Sequence, residues 1–230
     1  MTSLKVLSAG SALYGVRPCA ELFTRNTGIP VEVVTDHGHN IHRAALRGEA
    51  DADLVLLPTD MIASIASAGL ADKASVISIG AVRIGAAVRA GAPRPDVSTM
   101  EALRGALVAA DAVLLTLAPT GDHLVGVIAR LGLADAVAAK LERFETATLL
   151  NRRLAAASTG AIGFAPATEL QSWRDKGVAW AGAIPDQIQV VLPYSAAVLA
   201  RTRAAEQAHA LLGCLATPQA RRHFLDSGVE

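Results

Sequence analysis

Residues 4–34 read LKVLSAGSALYGVRPCAELFTRNTGIPVEVV, and this stretch decides the fold. The run LKVLS predicts a strand, and Leu13, Val16 and Ala20 then recur at the spacing of one helical face. Gly28 ends the predicted helix, and the run VEVVT predicts a second strand directly after it. A strand, a helix and a strand in this order predict a parallel βαβ unit.

The alternation of strands and helices continues through the rest of the chain. LVLL at residues 54–57 is a short apolar strand of the kind that is buried on both faces of a parallel sheet. Helices are predicted at residues 40–47 and 61–68, and later strands at residues 83–90, 113–116, 161–164 and 188–192. Ser98 is predicted to cap a helix, with Glu101 completing a capping box. The predicted fold class is therefore α/β.

Composition restricts the function classes. The chain has 230 residues, 52% hydrophobic and 3% aromatic, which is typical of a globular protein with one large or two small domains. Its 21 basic residues equal its 21 acidic residues, so the overall charge attracts neither nucleic acid nor an anionic membrane surface. No apolar run reaches the ~20 residues that span a bilayer. We therefore expect no nucleic-acid partner and no membrane insertion.

The N-terminus and the cysteines bear on the cellular compartment. Met1 is followed almost at once by the first strand, without the basic and apolar segments of a signal peptide. We therefore expect a cytoplasmic protein, or a periplasmic one whose leader has been removed. Cys19 and Cys214 form no metal-type cluster and are expected to be free thiols, with a bridge between them as the alternative.

Four loops between a strand and the next helix could carry chemistry, because ligands of open parallel sheets lie at the carboxyl ends of the strands. In the first loop, Gly10 lets the backbone approach a ligand, and Ser11 could offer its hydroxyl at a helix N-terminus, whose free N–H groups attract anions. Ser11 could equally be an ordinary N-cap. Tyr14, further along this helix, could reach the same ligand.

The second loop contains His37 and His39, with His42 close behind. Three interpretations stay open for it: a helix-capping polar loop, a metal site, or a histidine that donates to an anion or acts as a base near neutral pH. Zinc sites need spaced ligands that converge, and no other motif points to this loop, so neither a metal nor a cofactor is predicted. Thr59, which follows the apolar strand, is a further candidate hydroxyl for the ligand.

The third and fourth loops repeat the logic of the first. Thr120 and Gly121 would present backbone N–H groups at a helix start. Asp122 could cap that helix, but beside an anion it would repel the ligand unless it pairs with His123 or takes up a proton. In the fourth loop, Thr148 could cap the following helix or offer its hydroxyl and N–H to the ligand.

Six short motifs, in order along nearly the whole chain, resemble the molybdate-binding family of type II periplasmic solute-binding proteins. They are VLSAGS at residues 6–11, GEADADLVL at 48–56, APTG at 118–121, AIG and TE at 161–163 and 168–169, YSAAV at 194–198 and ATPQA at 216–220. Each motif is short, and their common order carries the resemblance.

The resemblance implies a type II periplasmic-binding-protein fold. In this fold two α/β lobes are joined by two crossover strands, and the ligand lies in the cleft between the lobes. Residues 1–82 and 192–230 together would form lobe 1, and residues 83–191 would form lobe 2.

The resemblance also implies a set of oxyanion ligands, and this chain keeps only part of it. Ser11 and Thr120 match two of the family's ligand positions, and Thr148 falls near a third. A ligand serine is replaced in the histidine loop at residues 37–39, and the family's tyrosine is missing where Phe164 stands. Because a desolvated anion with missing donors is costly, we expect an organic di- or tricarboxylate rather than molybdate or tungstate.

Relatives of this broad group include aconitate isomerase, which implies a second hypothesis. In it the chain is a cofactor-free isomerase that shifts a proton next to carboxylates, with His39, His123 and Asp122 as the proton shuttle. Two further alternatives are a molybdate- or tungstate-binding component of an ABC transporter and a cytoplasmic anion sensor. Whether the protein is an enzyme stays open. We expect a monomer with a small anionic ligand, and an ABC permease as partner if the chain is secreted.

Overall fold

The computed structural model describes residues 3–230, which fall into two compact units. Unit 1 runs to Val82 and resumes at Leu192–Glu230, and unit 2 is Arg83–Val191. Each unit has its own five-stranded sheet and its own buried apolar residues. No helix in residues 3–230 has the length and apolar character needed to cross a membrane.

The strands follow one another in chain order as β1 (Leu4–Ala9), β2 (Val31–Asp36), β3 (Leu54–Pro58), β4 (Ile77–Val82), β5 (Ile84–Arg89), β6 (Ala112–Thr116), β7 (Leu141–Phe144), β8 (Ala161–Pro166), β9 (Val178–Ala183) and β10 (Leu192–Val198). The helices are α1 (Gly10–Thr27), α2 (Gly38–Leu46), α3 (Thr59–Ser67), α4 (Met100–Ala109), α5 (Pro119–Arg130), α6 (Ala134–Ala138), α7 (Ala147–Ala155), α8 (Ala167–Gln171), α9 (Ala205–Leu215) and α10 (Pro218–Asp226). Short 3-10 turns lie at Lys73–Ser75, Arg174–Lys176 and Asp186–Ile188.

The sheet of unit 1 has the strand order β2-β1-β3-β10-β4. Strands β2, β1 and β3 are parallel, as the strand–helix–strand pattern predicts, whereas β10 runs antiparallel to both of its neighbours. The four residues of the LVLL run in β3 are fully buried, which confirms that this strand is covered on both faces. Helix α1 also packs on α10, where Gly15 leaves room for the ring of Phe224.

The sheet of unit 2 has the strand order β7-β6-β8-β5-β9. Strands β7, β6 and β8 are parallel, and β5 runs antiparallel to β8 and β9. In each unit three parallel strands therefore end at one edge of the sheet, and the helix that follows each strand begins at that edge. Four of these helix starts, those of α1, α2, α5 and α7, lie in the candidate ligand loops of the sequence analysis, and Thr59 lies at the start of α3.

Two local predictions are wrong. Residues 188–192 were expected to form a strand, but residues 186–188 form a 3-10 turn, and β10 begins only at Leu192. The Gln189 side chain holds this segment in place of a strand ladder: its amide oxygen accepts the N–H of Ile84 at 2.7 Å, and its amide nitrogen donates to the carbonyl oxygen of Ile84 at 3.0 Å. The N-cap of α4 is Thr99 rather than Ser98, because the Thr99 hydroxyl accepts the N–H of Ala102 at 3.1 Å.

Candidate functional site

Three helices of unit 1 begin without a side-chain cap at the carboxyl edge of the sheet. Helices α1, α2 and α3 follow β1, β2 and β3 directly, and their N-cap residues are Ala9, His37 and Pro58. None of these N-cap side chains accepts a hydrogen bond from the first turn. The free N–H groups and the positive end of each helix dipole are therefore available to an anion.

The first two helix starts lie next to each other in unit 1. The last residues of β1 and β2, Ala9 and Asp36, are paired in register, so both strands end at the same level of the sheet. A Cβ atom built on Gly38 would lie 3.6 Å from the Cβ of Ala9, which places the start of α2 beside the end of β1. A Cβ atom built on Gly10 would meet nothing within 4 Å, so the space at the start of α1 is open.

Ser11 is the second residue of α1, and its alternative interpretation as the N-cap is wrong. The N-cap is Ala9, and the Ser11 hydroxyl, although the residue is only 9% exposed, makes no hydrogen bond within the described part of the chain. A shielded hydroxyl beside free N–H groups is a ready donor to a bound oxygen atom. Tyr14 lies in the next turn of α1 with its side chain partly in solvent.

The histidine loop is held by an aspartate that the sequence analysis did not single out. The Asp36 Oδ1 atom accepts the Asn40 side-chain amide at 3.1 Å and the N–H of His37 at 2.6 Å. These hydrogen bonds, that of Asn40 first, lower the pKa of the Asp36 carboxyl group. The side chains of His37 and His39 stay exposed. No three His, Cys, Asp or Glu side chains in residues 3–230 converge as a metal site would require.

Thr59 opens α3, and its hydroxyl lies 2.9 Å from the hydroxyl of Ser195 in β10. Ser195 is almost fully buried, so this pair is a fixed polar feature at the end of β3. The sequence analysis named Thr59 but missed Ser195. Its presence in the YSAAV motif is the signal that could have pointed to it.

In unit 2, α5 begins without a side-chain cap directly after β6. Gly121 lies so close to the end of β6 that an added Cβ atom would be 1.9 Å from the carbonyl oxygen of Thr116. A glycine is therefore required for the loop to fold back onto its own strand. This contact brings Thr120 and Gly121 to the carboxyl edge of the sheet.

Helix α7 starts differently, because it has a side-chain cap. The Thr146 hydroxyl accepts the N–H of Leu149 at 3.2 Å, so the N-cap is Thr146 and not Thr148. Thr148 is exposed in the first turn, where its hydroxyl remains open to solvent. Of the two interpretations of Thr148, only the hydroxyl donor is compatible with this geometry.

Asp122 and His123 do not form a pair. Asp122 Oδ1 lies 2.6 Å from Nη2 of Arg143, a residue of β7 that the sequence analysis missed. The His123 Nε2 atom lies 2.7 Å from the carbonyl oxygen of Ile188. Because a carbonyl oxygen only accepts, Nε2 donates its proton there, and Nδ1 is the unprotonated nitrogen of the neutral ring.

The same edge of unit 2 carries buried polar atoms without partners. Within residues 3–230, the hydroxyl oxygens of Thr116 and Thr168 are buried and make no hydrogen bond. Phe164, which stands where the resemblance would place a tyrosine, is 1% exposed and lies in the apolar core. The family's tyrosine hydroxyl therefore has no counterpart at this position.

The candidate residues thus collect at two sheet edges, one in each unit. The edge of unit 1 carries Gly10, Ser11, His37, His39 and Thr59, and Tyr14 follows one turn behind. The edge of unit 2 carries Thr120, Gly121, Asp122, His123 and Thr148. The structure adds Ser195 to the residues of unit 1 and Arg143 to those of unit 2.

Comparison with known proteins agrees with this architecture. The family model described as bacterial extracellular solute-binding protein matches residues 4–230. An aconitate isomerase from Pseudomonas sp is 29% identical over 236 residues, which cover 100% of this chain and 88% of that protein.

Two solved structures share the fold at low sequence identity. The substrate-binding domain of a putative molybdenum ABC transporter from Clostridium difficile aligns with a TM-score of 0.78 at 13% identity, covering 99% of this chain and 98% of that one. The periplasmic molybdate-binding protein of Azotobacter vinelandii aligns with a TM-score of 0.72 at 16% identity and covers 99% of both chains. The predicted fold class, two α/β units of the type II periplasmic-binding kind, is confirmed.

Proposed function

Because the chain belongs to the family of bacterial extracellular solute-binding proteins, we propose that it binds a small organic anion, a di- or tricarboxylate, at its uncapped helix starts. The observation that carries this proposal is the absence of a side-chain cap at α1, α2, α3 and α5, each of which begins where a parallel strand ends. The N–H groups of an uncapped helix start bind either water or a ligand, and an anion is the ligand that the helix dipole favours.

The donors around these helix starts suit a carboxylate ligand. The Ser11 hydroxyl has no partner in the described residues, and Thr59 and Ser195 supply a fixed hydroxyl pair in unit 1. His37 and His39 add exposed imidazoles that can donate to a carboxylate. We propose that Gly10 and Tyr14 complete the ligand-binding residues of unit 1, and that Thr120, Gly121 and Thr148 are ligand-binding residues of unit 2.

Molybdate and tungstate fit this donor set less well. A tetrahedral oxyanion that loses its water needs a complete shell of donors. Here exposed histidines replace one serine, and Phe164 offers no hydroxyl. A relative named aconitate isomerase, whose name refers to a tricarboxylate, is 29% identical to this chain. That similarity supports a carboxylate as the ligand.

A second candidate function is isomerisation of an unsaturated polycarboxylate, and one observation favours it. The Nε2–H of His123 is fixed on the carbonyl oxygen of Ile188, which leaves Nδ1 as a base of defined tautomer at the start of α5. Such a base could remove a proton next to a carboxylate, with the helix starts stabilising the charge that develops. In this hypothesis His39 and Asp122 take part in returning the proton to another carbon of the substrate.

A thermal-shift screen with proton NMR in deuterium oxide tests both functions. The screen compares citrate, cis- and trans-aconitate and succinate with sulfate and molybdate. At a ligand concentration of about 100 Kd, binding adds about 2.7 kcal/mol to stability, which raises Tm by roughly 5–10 °C in a chain of this size. We expect that shift with a tricarboxylate and none with molybdate.

The NMR spectra of the same mixtures separate binding from catalysis. Stabilisation without deuterium uptake supports a binding protein, and uptake into the carbon skeleton supports the isomerase. Ser11→Ala should reduce the shift, whereas Ser64→Ala, an exposed serine on α3, should leave it unchanged. A large shift with molybdate alone would refute the proposed ligand class. If the protein is exported, an ABC permease is the partner that this family membership suggests.

A further inference from the structure

We propose that Arg143 is a carboxylate-binding residue and that the Asp122 side chain occupies it until a ligand carboxylate takes its place. The proposal rests on the proposed function and deepens it, because it assigns the residue that favours a carboxylate over other anions. Arg143 lies at the carboxyl end of β7, next to the end of β6 and the start of α5.

The guanidinium group of Arg143 is held in a fixed plane. Its Nε and Nη2 atoms both donate to the carbonyl oxygen of Thr116, at 3.0 Å and 2.8 Å. That carbonyl is itself packed against Gly121, where no Cβ atom would fit. The Arg143 side chain is 24% exposed, so the fixed group still reaches solvent.

Only one of the two nitrogens, Nη1 and Nη2, at the end of the guanidinium group is hydrogen-bonded to Asp122. A guanidinium has five N–H donors, and a carboxylate can bridge two of its nitrogens through a pair of parallel hydrogen bonds. Asp122 Oδ1 contacts Nη2 alone, at 2.6 Å, and Nη1 has no partner within residues 3–230. A ligand carboxylate that takes both Nη1 and Nη2 therefore makes one hydrogen bond more than Asp122 does.

Asp122 can leave without a large cost. Its side chain is 68% exposed, so the carboxylate can rotate into water, and an exposed ion pair of this kind is weak. The same carboxylate would repel an incoming anion if it stayed in place. Asp122 therefore competes with a ligand carboxylate for the paired nitrogens Nη1 and Nη2 of Arg143, the guanidinium fork.

The surroundings of Arg143 suit an anion with a carbon skeleton. Leu117 is 55% exposed directly after β6, and its N–H donates to the carbonyl oxygen of Phe144 at 2.7 Å, so it lies beside the end of β7. Leu149 is a second exposed apolar side chain, in the first turn of α7. An inorganic oxyanion has no apolar part to place against these leucines, whereas a tricarboxylate has.

Calorimetric titrations with citrate and trans-aconitate test this inference. Arg143→Gln is expected to weaken the binding of a tricarboxylate at least about tenfold, and Arg143→Lys, which keeps the charge but not the fork, should bind with intermediate affinity. Asp122→Asn is expected to strengthen binding about two- to fivefold, because it removes the negative charge that competes with the ligand and leaves the support of Arg143 by Thr116 intact. The control Arg152→Gln removes an exposed charge from the last turn of α7 and should leave the affinity unchanged.

The outcomes separate this inference from the proposed function. If the wild-type protein binds neither tricarboxylate, the proposed function is wrong. If the wild type binds and Arg143→Gln binds equally well, the assignment of Arg143 alone is wrong. Should Arg143→Gln fail to fold, Asp122→Asn decides the question, and a loss of affinity in that variant overturns the assignment.

Discussion

Replacing Gly121 with alanine should damage the start of α5, and the structure gives the size of the effect. The added Cβ atom would lie 1.9 Å from the carbonyl oxygen of Thr116 and 2.8 Å from its carbonyl carbon. Non-bonded carbon and oxygen atoms need about 3.4 Å, so two backbone segments must separate by about 1.5 Å. Neither neighbour is a flexible side chain that could move aside.

Two measurable losses follow from that separation in Gly121→Ala. Overpacking of this kind costs about 1–3 kcal/mol, which lowers Tm by roughly 2–12 °C in a chain of this size. The displaced Thr116 carbonyl also carries Arg143, and loss of one hydrogen bond to a charged group weakens ligand binding about ten- to hundredfold. Thermal unfolding followed by circular dichroism measures the first loss, and calorimetric titration with citrate measures the second.

Gly126 provides the matched control, because it lies in the same helix and an added Cβ atom there meets nothing within 4 Å. Gly126→Ala should therefore stabilise the protein by about 0.5–1 kcal/mol, the gain expected from removing a helical glycine, and should leave the affinity unchanged. If Gly121→Ala is as stable as the wild type and binds citrate as tightly, α5 does not approach β6 this closely.

Two further predictions concern ionisable side chains. The hydrogen bonds from Asn40 and from the N–H of His37 lower the pKa of Asp36 in the folded protein, so the stability that they contribute is present at neutral pH and is lost as the pH falls through that lowered value. The Tm difference between the wild type and Asp36→Ala should therefore shrink between neutral pH and about pH 3. A Tm difference that does not change with pH would contradict a lowered pKa of Asp36. Burial raises the pKa of Cys19 to about 12 and raises that of Cys214 as well. Iodoacetamide at mildly alkaline pH should therefore modify Cys19 more slowly than the half-buried Cys214 in the folded protein, and equal rates would contradict the burial of Cys19.

Much of the fold follows from local signals in the sequence. The LVLL run, the helical spacing after Ser11 and the glycine at residue 28 each act within a few residues, and all three describe the structure correctly. Helix starts after parallel strands could also be predicted, because the carboxyl ends of such strands meet at one edge. The prediction of a strand at residues 188–191 was wrong because the Gln189 side chain is hydrogen-bonded to the backbone of Ile84, about 100 residues away in the sequence. These hydrogen bonds override the strand-like composition of the segment.

The candidate site was predictable in its loops but not in its partners. Ser11 was expected to be either a cap or a ligand donor, and only the backbone angles show that Ala9 takes the N-cap position. Arg143 was missed because its partners Thr116 and Asp122 lie 27 and 21 residues away in the sequence. His123 was considered as a partner of Asp122 only because the two residues are adjacent in the sequence. Contacts of this range depend on strand order, which no short motif encodes.

Competition calorimetry between trans-aconitate and molybdate on the wild-type protein tests the central claim most directly. We expect saturable binding of the tricarboxylate to one site per chain, little heat from molybdate, and no displacement of the tricarboxylate by a molybdate excess. The same titration of Ser11→Ala should show weaker binding of the tricarboxylate. Tight binding of molybdate that displaces the tricarboxylate, or an absence of heat with every carboxylate, would contradict the assignment of an organic anion to these uncapped helix starts.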